Sequence, residues 1–379
     1  MKSKIKICHV ISGYYRTDAR VFQRQCKSLV ASGFEVSLLT NDGEPSETID
    51  EIKVFEAGRF WSSRLKVLLF AKKQFLRKAL EIDADIYQMH SPELLSLGRT
   101  LQKKGKRVVY DAHEDLPRHL LEKEWLPQVL RGPFSWVVEW YMNKLLSKYD
   151  SIISPHSHVV EYLEKVNPNV RLIANFPLVQ YRKKFELDDY LKRGKKLCYT
   201  GTVYLYSNQE VILEAISIID DVQYEVPGYF QPEHLESLKN RVGYDKLNFL
   251  GRLTWEQMIE FYNHAAVGIV VYDYKYNLGY NLGSYGTNKI FEYMEAAIPI
   301  ICTDYILWKN IVDRYNCGIC VQPGNLDQIR NALVTLFENP VIAYEMGQNG
   351  RRAVEKEFNW KSQEEIYNAL FIELSSKKI

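Results

Sequence analysis

The residues best suited to chemistry in this 379-residue chain lie in the run Tyr285-Gly286-Thr287-Asn288-Lys289-Ile290-Phe291-Glu292-Tyr293-Met294. A Tyr/Gly/Asn-rich loop from Tyr272 leads into it. Gly286 offers a turn, and Thr287 or Asn288 is placed to cap a helix that Pro299 ends. A helix opening on such a loop presents unpaired backbone N–H groups and the positive end of its dipole, which suits a phosphate. Lys289 falls in the first turn, where a cation is disfavoured unless it faces an anion. Glu292, one turn further on, can accept two hydroxyl hydrogen bonds. A diphosphate joined to a ribose fits this combination, and an ordinary capped helix with solvated charges fits the local pattern about equally well.

A second cluster, Asp111-Ala112-His113-Glu114-Asp115, follows the strand-like Arg107–Tyr110. Open α/β sheets keep their sites at such strand ends. His113 there can hydrogen-bond a hydroxyl, with Glu114 or Asp115 orienting it, although a lone loop histidine is more often structural or solvated.

These groups need a scaffold, and the apolar pattern supplies one. Ile5–Ile11 reads as a buried strand broken at Gly13. A helix with Val21, Phe22, Gln25, Leu29 and Val30 near one face follows, and then a strand at Val36–Leu39. This is the β-loop-α-β unit of a doubly wound sheet, without the G-x-G-x-x-G of a dinucleotide site. Strand–helix units continue to Val170–Ala174. After a Lys/Arg-rich linker a second series begins at Lys196–Gly201 and runs to Gly318–Val321. The expected fold class is α/β, with two Rossmann-like, doubly wound domains.

Composition agrees with a folded chain: 46% hydrophobic and 25% charged residues exclude disorder. The six cysteines are scattered without paired metal-ligand spacing, and read as buried free thiols of a reducing compartment. No apolar run approaches the roughly 20 residues that cross a bilayer, and no leader pattern precedes the first strand, so a cytoplasmic protein is expected. The formal charge of +2 conceals an asymmetry. Residues 1–185 carry 30 basic and 21 acidic side chains, leaving 19 basic and 26 acidic in the remainder. The first half is therefore expected to meet something anionic. Phe60–Leu80 alternates basic with apolar residues and suits an anionic membrane surface. Leu116–Leu146 mixes Trp125, Trp136, Trp140 and Tyr141 with leucines and bases, which suits an enzyme working on a lipid-linked sugar. Core-facing helices with basic outer faces share both patterns.

The Lys-x-Phe-Glu-Tyr-Met segment, with small residues, Pro299 and an apolar strand after it, resembles the donor-binding motif of family 4 glycosyltransferases. Other segments match in order over almost the whole chain. The resemblance implies the GT-B fold, two Rossmann-like domains facing across a cleft. It places an acceptor domain at 1–180, with a C-terminal helix at 361–379 packing back on it, and a nucleotide-sugar domain at 195–360. The implied donor-site residues are Gly201, Thr202, Arg252, Leu253, Ser284, Gly286, Thr287, Asn288, Lys289 and Glu292. Gly13, Asp18, Arg20, Glu114 and Asp115 are the implied acceptor residues, and His113 joins Lys289 and Glu292 in catalysis. For Asp18 and Arg20, a helix cap and a solvated base are equally good readings. The pattern departs in two places. Ser284 stands where the family has a first Glu, and Thr202 stands where it has Arg, with no Lys in Tyr204–Asn208.

The function implied is retaining transfer of a hexosyl unit from a nucleotide-diphosphate sugar, UDP first and GDP second on family frequency, to a glycan or lipid-linked acceptor. It requires no metal, no cofactor and no nucleic acid. A sugar-nucleotide epimerase of the same architecture and a non-catalytic sugar-nucleotide-binding partner are the alternatives.

Overall fold

The N-terminal apolar run forms β1 (Lys6–Val10), with Ile7, Cys8 and Val10 fully buried. The computed structural model describes residues 4–58, 71–123, 125–179 and 186–376. Residues 1–175 with 360–379 make one unit and residues 176–359 another. After β1, Asp18 caps helix α1, accepting from the N–H groups of Arg20 at 2.8 Å and Val21 at 2.9 Å. This helix opens as a wide π turn at Ala19–Cys26 and continues as Lys27–Ala31.

The strands β2 (Glu35–Thr40), β3 (Glu47–Ile49), β4 (Ile52–Glu56), β5 (Ile86–Met89), β6 (Arg107–Asp111), β7 (Ser151–Ser154) and β8 (Val170–Leu172) join β1 in one sheet. Its order is β3-β4-β2-β1-β5-β6-β7-β8, parallel except for the β3–β4 pair. From β1 the chain winds outward through β2 on one side and β5 on the other. The crevice at the C-terminal ends of β1 and β5 is therefore the switch point, where a doubly wound sheet opens for a ligand. A two-way contact pins it: Ser91 Oγ accepts from Ser12 N–H at 3.0 Å and donates to Ser12 O at 3.1 Å.

Helices α2 (Lys72–Ile82), α3 (Leu95–Gln102), α4 (Leu116–Leu120), α5 (Gln128–Leu146) and α6 (Ser157–Leu163) cover this unit's sheet. In α2, Phe75 and Ala79 are buried and Leu76 packs on the core, so its basic residues form an ordinary outer face. This is the core-facing alternative for the stretch carrying Lys72, Lys73, Arg77 and Lys78. The Phe60–Phe70 part of that stretch lies outside the described residues.

The second unit repeats the plan with β9 (Lys196–Cys198), β10 (Gly201–Val203), β11 (Gln223–Phe230), β12 (Leu247–Gly251), β13 (Val267–Val270), β14 (Ile300–Thr303) and β15 (Gly318–Val321). They run β10-β11-β9-β13-β14-β15, with β12 beside β11, and the switch lies between β9 and β13. Besides short helices at Leu187–Leu191 and Pro232–Leu238, its helices are α7 (Gln209–Ser217), α8 (Trp255–His264), α9 (Asn288–Glu295), α10 (Ile306–Tyr315), α11 (Leu326–Glu338) and α12 (Pro340–Lys356). Where the sequence suggests only a turn after Gly201, β10 pairs with Gly228–Phe230. Gly228 makes that approach feasible, because a Cβ there would lie 1.9 Å from Gly201 O. Helix α9 presses equally closely on β13, where a Cβ at Gly268 would lie 2.3 Å from the Tyr293 ring.

The last helix, α13 (Trp360–Ser376), belongs to the first unit. Trp360, Tyr367, Leu370, Phe371 and Leu374 are buried against the α1 side of that sheet. Each such side chain contributes about 1.5–3 kcal/mol of burial. Polar contacts fix its register: Trp360 Nε1 donates to Ser28 Oγ at 2.8 Å and Tyr367 Oη to Gln88 Oε1 at 2.6 Å. All six cysteines are free, five of them buried and Cys320 partly so.

Candidate functional site

The switch point of the second unit gathers the donor-type residues. Gly201 ends the β9 turn with φ +87°, and a Cβ there would lie 3.4 Å from Lys289 Nζ. The Lys289 ammonium sits 5.0 Å from the Tyr199 ring centroid and 5.9 Å from that of Tyr272, which closes the strand end after β13. Burial alone would lower its pKa. The hydroxyls of Tyr272 and Tyr204, with the Glu292 carboxylate, outweigh burial and hold it above the ordinary lysine value. A charged lysine therefore stands in the first turn of α9, against the glycine turn. One turn on, Tyr262 Oη donates to Glu292 Oε2 at 3.0 Å and lies 3.3 Å from the Thr200 hydroxyl. Thr200 N–H in turn donates to Tyr293 Oη at 2.9 Å. Strand end, α8 and α9 are thus tied around one carboxylate.

At the helix start, Thr287 is the N-cap residue by position and makes no side-chain cap hydrogen bond. Asn288 Oδ1 is buried and has no hydrogen-bond partner among the described residues. A buried amide oxygen left this way favours a donor such as a ligand hydroxyl.

In the first unit the switch point holds a polar cluster that sequence reading saw only in part. Arg20 donates to Asp111 through Nε at 3.0 Å and Nη2 at 2.9 Å, and through Nη1 to Ile173 O at 3.0 Å. Gln25 Nε2 adds a bond to Asp111 Oδ2 at 2.7 Å. Burial alone would raise the Asp111 carboxyl, but Arg20 and the neighbouring imidazoles hold it well below the usual range. Three histidines run in series. His9 Nδ1 lies 2.9 Å from His90 Nε2, and His90 Nδ1 lies 3.0 Å from His113 Nε2, which is 3.3 Å from Asp111 Oδ2. Burial lowers His9 well below its ordinary value and His90 to about 4. Only His113 reaches the surface, its side chain 14% exposed and its ring 5.1 Å from that of Tyr14. His156 Nε2 donates to the His113 carbonyl at 2.8 Å and steadies the loop.

His90, Asp111 and His113 each offer a ligand atom within 4.8 Å of the others. Both Asp111 oxygens already carry the guanidinium, which suits a hydrogen-bonded cluster better than a divalent ion. An Asp-x-Asp that sequence reading passed over, Asp83-Ala84-Asp85, precedes β5 at the opposite end of the sheet. There Asp83 pairs with Lys106 at 2.6 Å, and Asp85 accepts from Lys6 N–H at 2.8 Å.

Two family descriptions match this chain. Glycosyltransferase Family 4 covers residues 19–176, and Glycosyl transferases group 1 covers residues 194–339. The chain belongs to the family 4, group 1 glycosyltransferases. An uncharacterised glycosyltransferase of Methanocaldococcus jannaschii is 23% identical over 334 residues, 85% of this chain and 75% of that protein. Among solved structures, a sucrose-phosphate synthase from Thermosynechococcus elongatus superposes with TM-score 0.77 at 17% identity, covering 98% of this chain and all of that one (100%). HepE of Anabaena in complex with UDP-glucose gives TM-score 0.72 at 14% identity, covering 98% of this chain and 100% of that one. The fold is accordingly GT-B.

Within this glycosyltransferase the expected residues separate. Gly13 sits after β1 with φ +75° and open space at its Cβ position. Thr202 and Arg252 are exposed, the Arg252 guanidinium lying 5.4 Å over the Tyr229 ring, and Leu253 is partly buried. Glu114 is exposed, with Oε2 3.3 Å from His119 Nδ1. Asp18 caps α1, which is one of the two readings its sequence position allows. Three expectations are corrected. Arg20 is buried and tied to Asp111, so it is neither solvated nor open to an acceptor. Asp115 caps α4, accepting from Arg118 N–H at 3.2 Å, and the residue orienting His113 is Asp111. Ser284 is fully buried and its Oγ takes the Gly286 N–H at 2.8 Å, so neither group faces a ligand. The left-handed glycines of that loop are Gly279 at φ +75° and Gly283 at φ +81°, not Gly286. The signals missed were Asp111, a carboxylate ending an apolar strand, and Gln25 and Gln88, polar residues at core positions.

Proposed function

We propose that this glycosyltransferase moves a hexosyl unit, with retention, from a nucleotide-diphosphate sugar to a glycan or lipid-linked acceptor at the cytoplasmic face of a membrane. UDP is the first choice of nucleotide and GDP the second. The observation that carries the reading is the charged Lys289 in the first turn of α9, against the Gly201 turn, with Glu292 fixed one turn further on. A diphosphate lying between the glycine turn and the helix N-terminus meets Lys289 and the dipole together, and Glu292 receives ribose hydroxyls. As the sugar–phosphate bond breaks, charge grows on the leaving phosphate, where a lysine in a partly buried site is most effective. The acceptor hydroxyl then attacks on the face the nucleotide leaves, and the departing phosphate takes its proton, so neither a protein nucleophile nor a metal is required. His113, held by Asp111 and His90, is suited to bind a sugar hydroxyl. HepE was solved with UDP-glucose, which supports UDP as the first donor to try.

One observation favours a second reading. With Thr202 in place of a base and Ser284 buried, Lys289 lacks the helpers the family pattern has, as in a protein that binds a nucleotide sugar without transferring it. A thermal-shift panel of UDP, GDP, ADP and UDP-glucose, followed by assay of released nucleotide with and without chelator, separates the two. A ligand at about 100 times its Kd stabilises by about 2.7 kcal/mol. A selective shift with chelator-resistant release supports the transferase, and a shift without release supports the binding protein. No shift with any nucleotide removes both.

A further inference from the structure

Helix α5 is amphipathic in reverse. Its inward face is narrow: Ser135, Met142 and Leu146 are buried, and Ser135 Oγ donates to Pro117 O at 2.6 Å. Its outward face carries Val129, Pro133, Trp136, Val137 and Trp140 at the three- and four-residue spacing of one helix side. Val129 is 82% exposed, Trp136 66% and Trp140 54%, and Trp125 just before the helix is 68% exposed. Single exposed apolar residues are ordinary, but a continuous face of this kind marks a contact surface. Among the described residues, no acidic side chain lies on it. Glu139, at the flank, is held by Arg118 Nη1 at 2.7 Å and Nη2 at 3.0 Å. The face ends in exposed bases, Lys144 with Nζ 5.1 Å over the Trp140 ring, then Lys148.

We propose that this face of α5 docks the enzyme flat on an anionic lipid surface. Tryptophan and tyrosine side chains favour the headgroup level, where an apolar ring and a polar edge are both satisfied. Lysines at the end of the face meet anionic headgroups, in keeping with the basic balance of residues 1–185. A second copy of the chain fits less well, since a two-fold contact presents the same basic patch on both sides of one interface. The assignment deepens the lipid-linked branch of the acceptor reading and rests on it for its purpose; lipid binding itself is read from the surface alone.

The test uses the full chain with vesicles of phosphatidylcholine, with and without phosphatidylglycerol, followed by flotation. Wild type is expected to float with the anionic vesicles and far less with neutral ones, the more weakly as salt rises. The exposed-face variant Trp136→Ser/Trp140→Ser is expected to lose about tenfold or more in partitioning, with its melting curve and nucleotide shift unchanged. Lys144→Glu/Lys148→Glu is expected to remove the preference for anionic vesicles. Wild type that fails to float, or serine variants that float equally well, overturns the proposal. So does a wild-type dimer in light scattering that the serine variants dissociate while vesicle binding is absent. Because nucleotide binding is read on the same samples, failure of the donor reading leaves a flotation result standing, and the reverse.

Discussion

Arg20 and Asp111 form a buried ion pair with two charge-assisted hydrogen bonds, Nε to Oδ2 at 3.0 Å and Nη2 to Oδ1 at 2.9 Å. The pair joins α1 to the end of β6 and fixes the carboxylate that faces His113. Removing one partner strands the other charge, so Arg20→Met is expected to cost about 3–5 kcal/mol of unfolding free energy in urea titration. Arg20→Lys keeps the charge but loses the fork, and is expected to fall between. An acceptor-binding Arg20 would behave differently, changing acceptor KM while leaving stability intact.

Acid should weaken the first unit in a defined window. His90 and His156 are both lowered to about 4 by burial, and burial also holds His9 well below its ordinary value. Unfolded, each takes a proton near pH 6.5. Their neutral burial is therefore fully tolerated above that value, and stability is lost as pH falls from about 6.5 towards about 4. Melting temperature measured from about pH 7.5 to about pH 4.5 should fall steeply below 6.5, and His90→Gln should give a shallower slope.

Asp115 carries the opposite sign. Burial raises it to about 6, so folding favours its protonated form. Its contribution is favourable at low pH and lost as pH rises from about 4 through about 6. Asp115→Asn keeps an acceptor for the Arg118 N–H and removes the charge. Relative to wild type, the variant should gain stability as pH rises through that window, read as a difference in melting temperature that grows and then levels.

Much of this was legible beforehand. Apolar runs such as Ile5–Ile11 and Ile298–Cys302 read as buried strands of a parallel sheet, so the alternating strand–helix plan of two doubly wound domains could be read forward. Lys289 and Glu292 stood out because a cation in a first helical turn needs a reason. The Asp111 cluster did not stand out, because its members come from α1, β5 and β6 and meet only when the sheet forms. Arg20 looked like a surface base for the same reason: its partner is 91 residues away. Nor does composition distinguish α2 from α5. Both are rich in apolar and basic residues, and only packing shows that α2 turns its apolar side inward and α5 outward.

The β10–β11 approach gives a test at a residue that touches no ligand. Gly228 has φ +154°, and an added Cβ would lie 1.9 Å from Gly201 O, a backbone atom that must then move. Gly228→Ala should destabilise by more than about 1 kcal/mol and also weaken nucleotide binding, because the Gly201 turn shifts away from Lys289. Gly324→Ala is the control: it is strained at φ +72° but has a clear Cβ position, where the nearest atom is 3.9 Å away. It should cost stability without changing nucleotide affinity.

The hydroxyl of Tyr262 offers the finest test of the donor site. It donates to Glu292 Oε2 at 3.0 Å and lies 3.3 Å from Thr200 Oγ1, leaving the rest of the carboxylate to accept from a ligand. Tyr262→Phe keeps the ring edge-on to Tyr293, 6.1 Å between centroids, and deletes only the hydroxyl. The lost hydrogen bond to a charged group is worth about 1.5–3 kcal/mol at most, and part of it should appear as a several-fold weaker nucleotide Kd with the fold intact. Glu292→Gln should weaken binding further, since the amide accepts hydroxyl bonds less strongly, and Lys289→Met should abolish the nucleotide shift altogether. Calorimetric titration with UDP orders the three. If Tyr262→Phe binds as tightly as wild type while Glu292→Gln does not, the carboxylate finds its ligand without help from α8. If all three bind alike, the nucleotide does not lie on α9 at all.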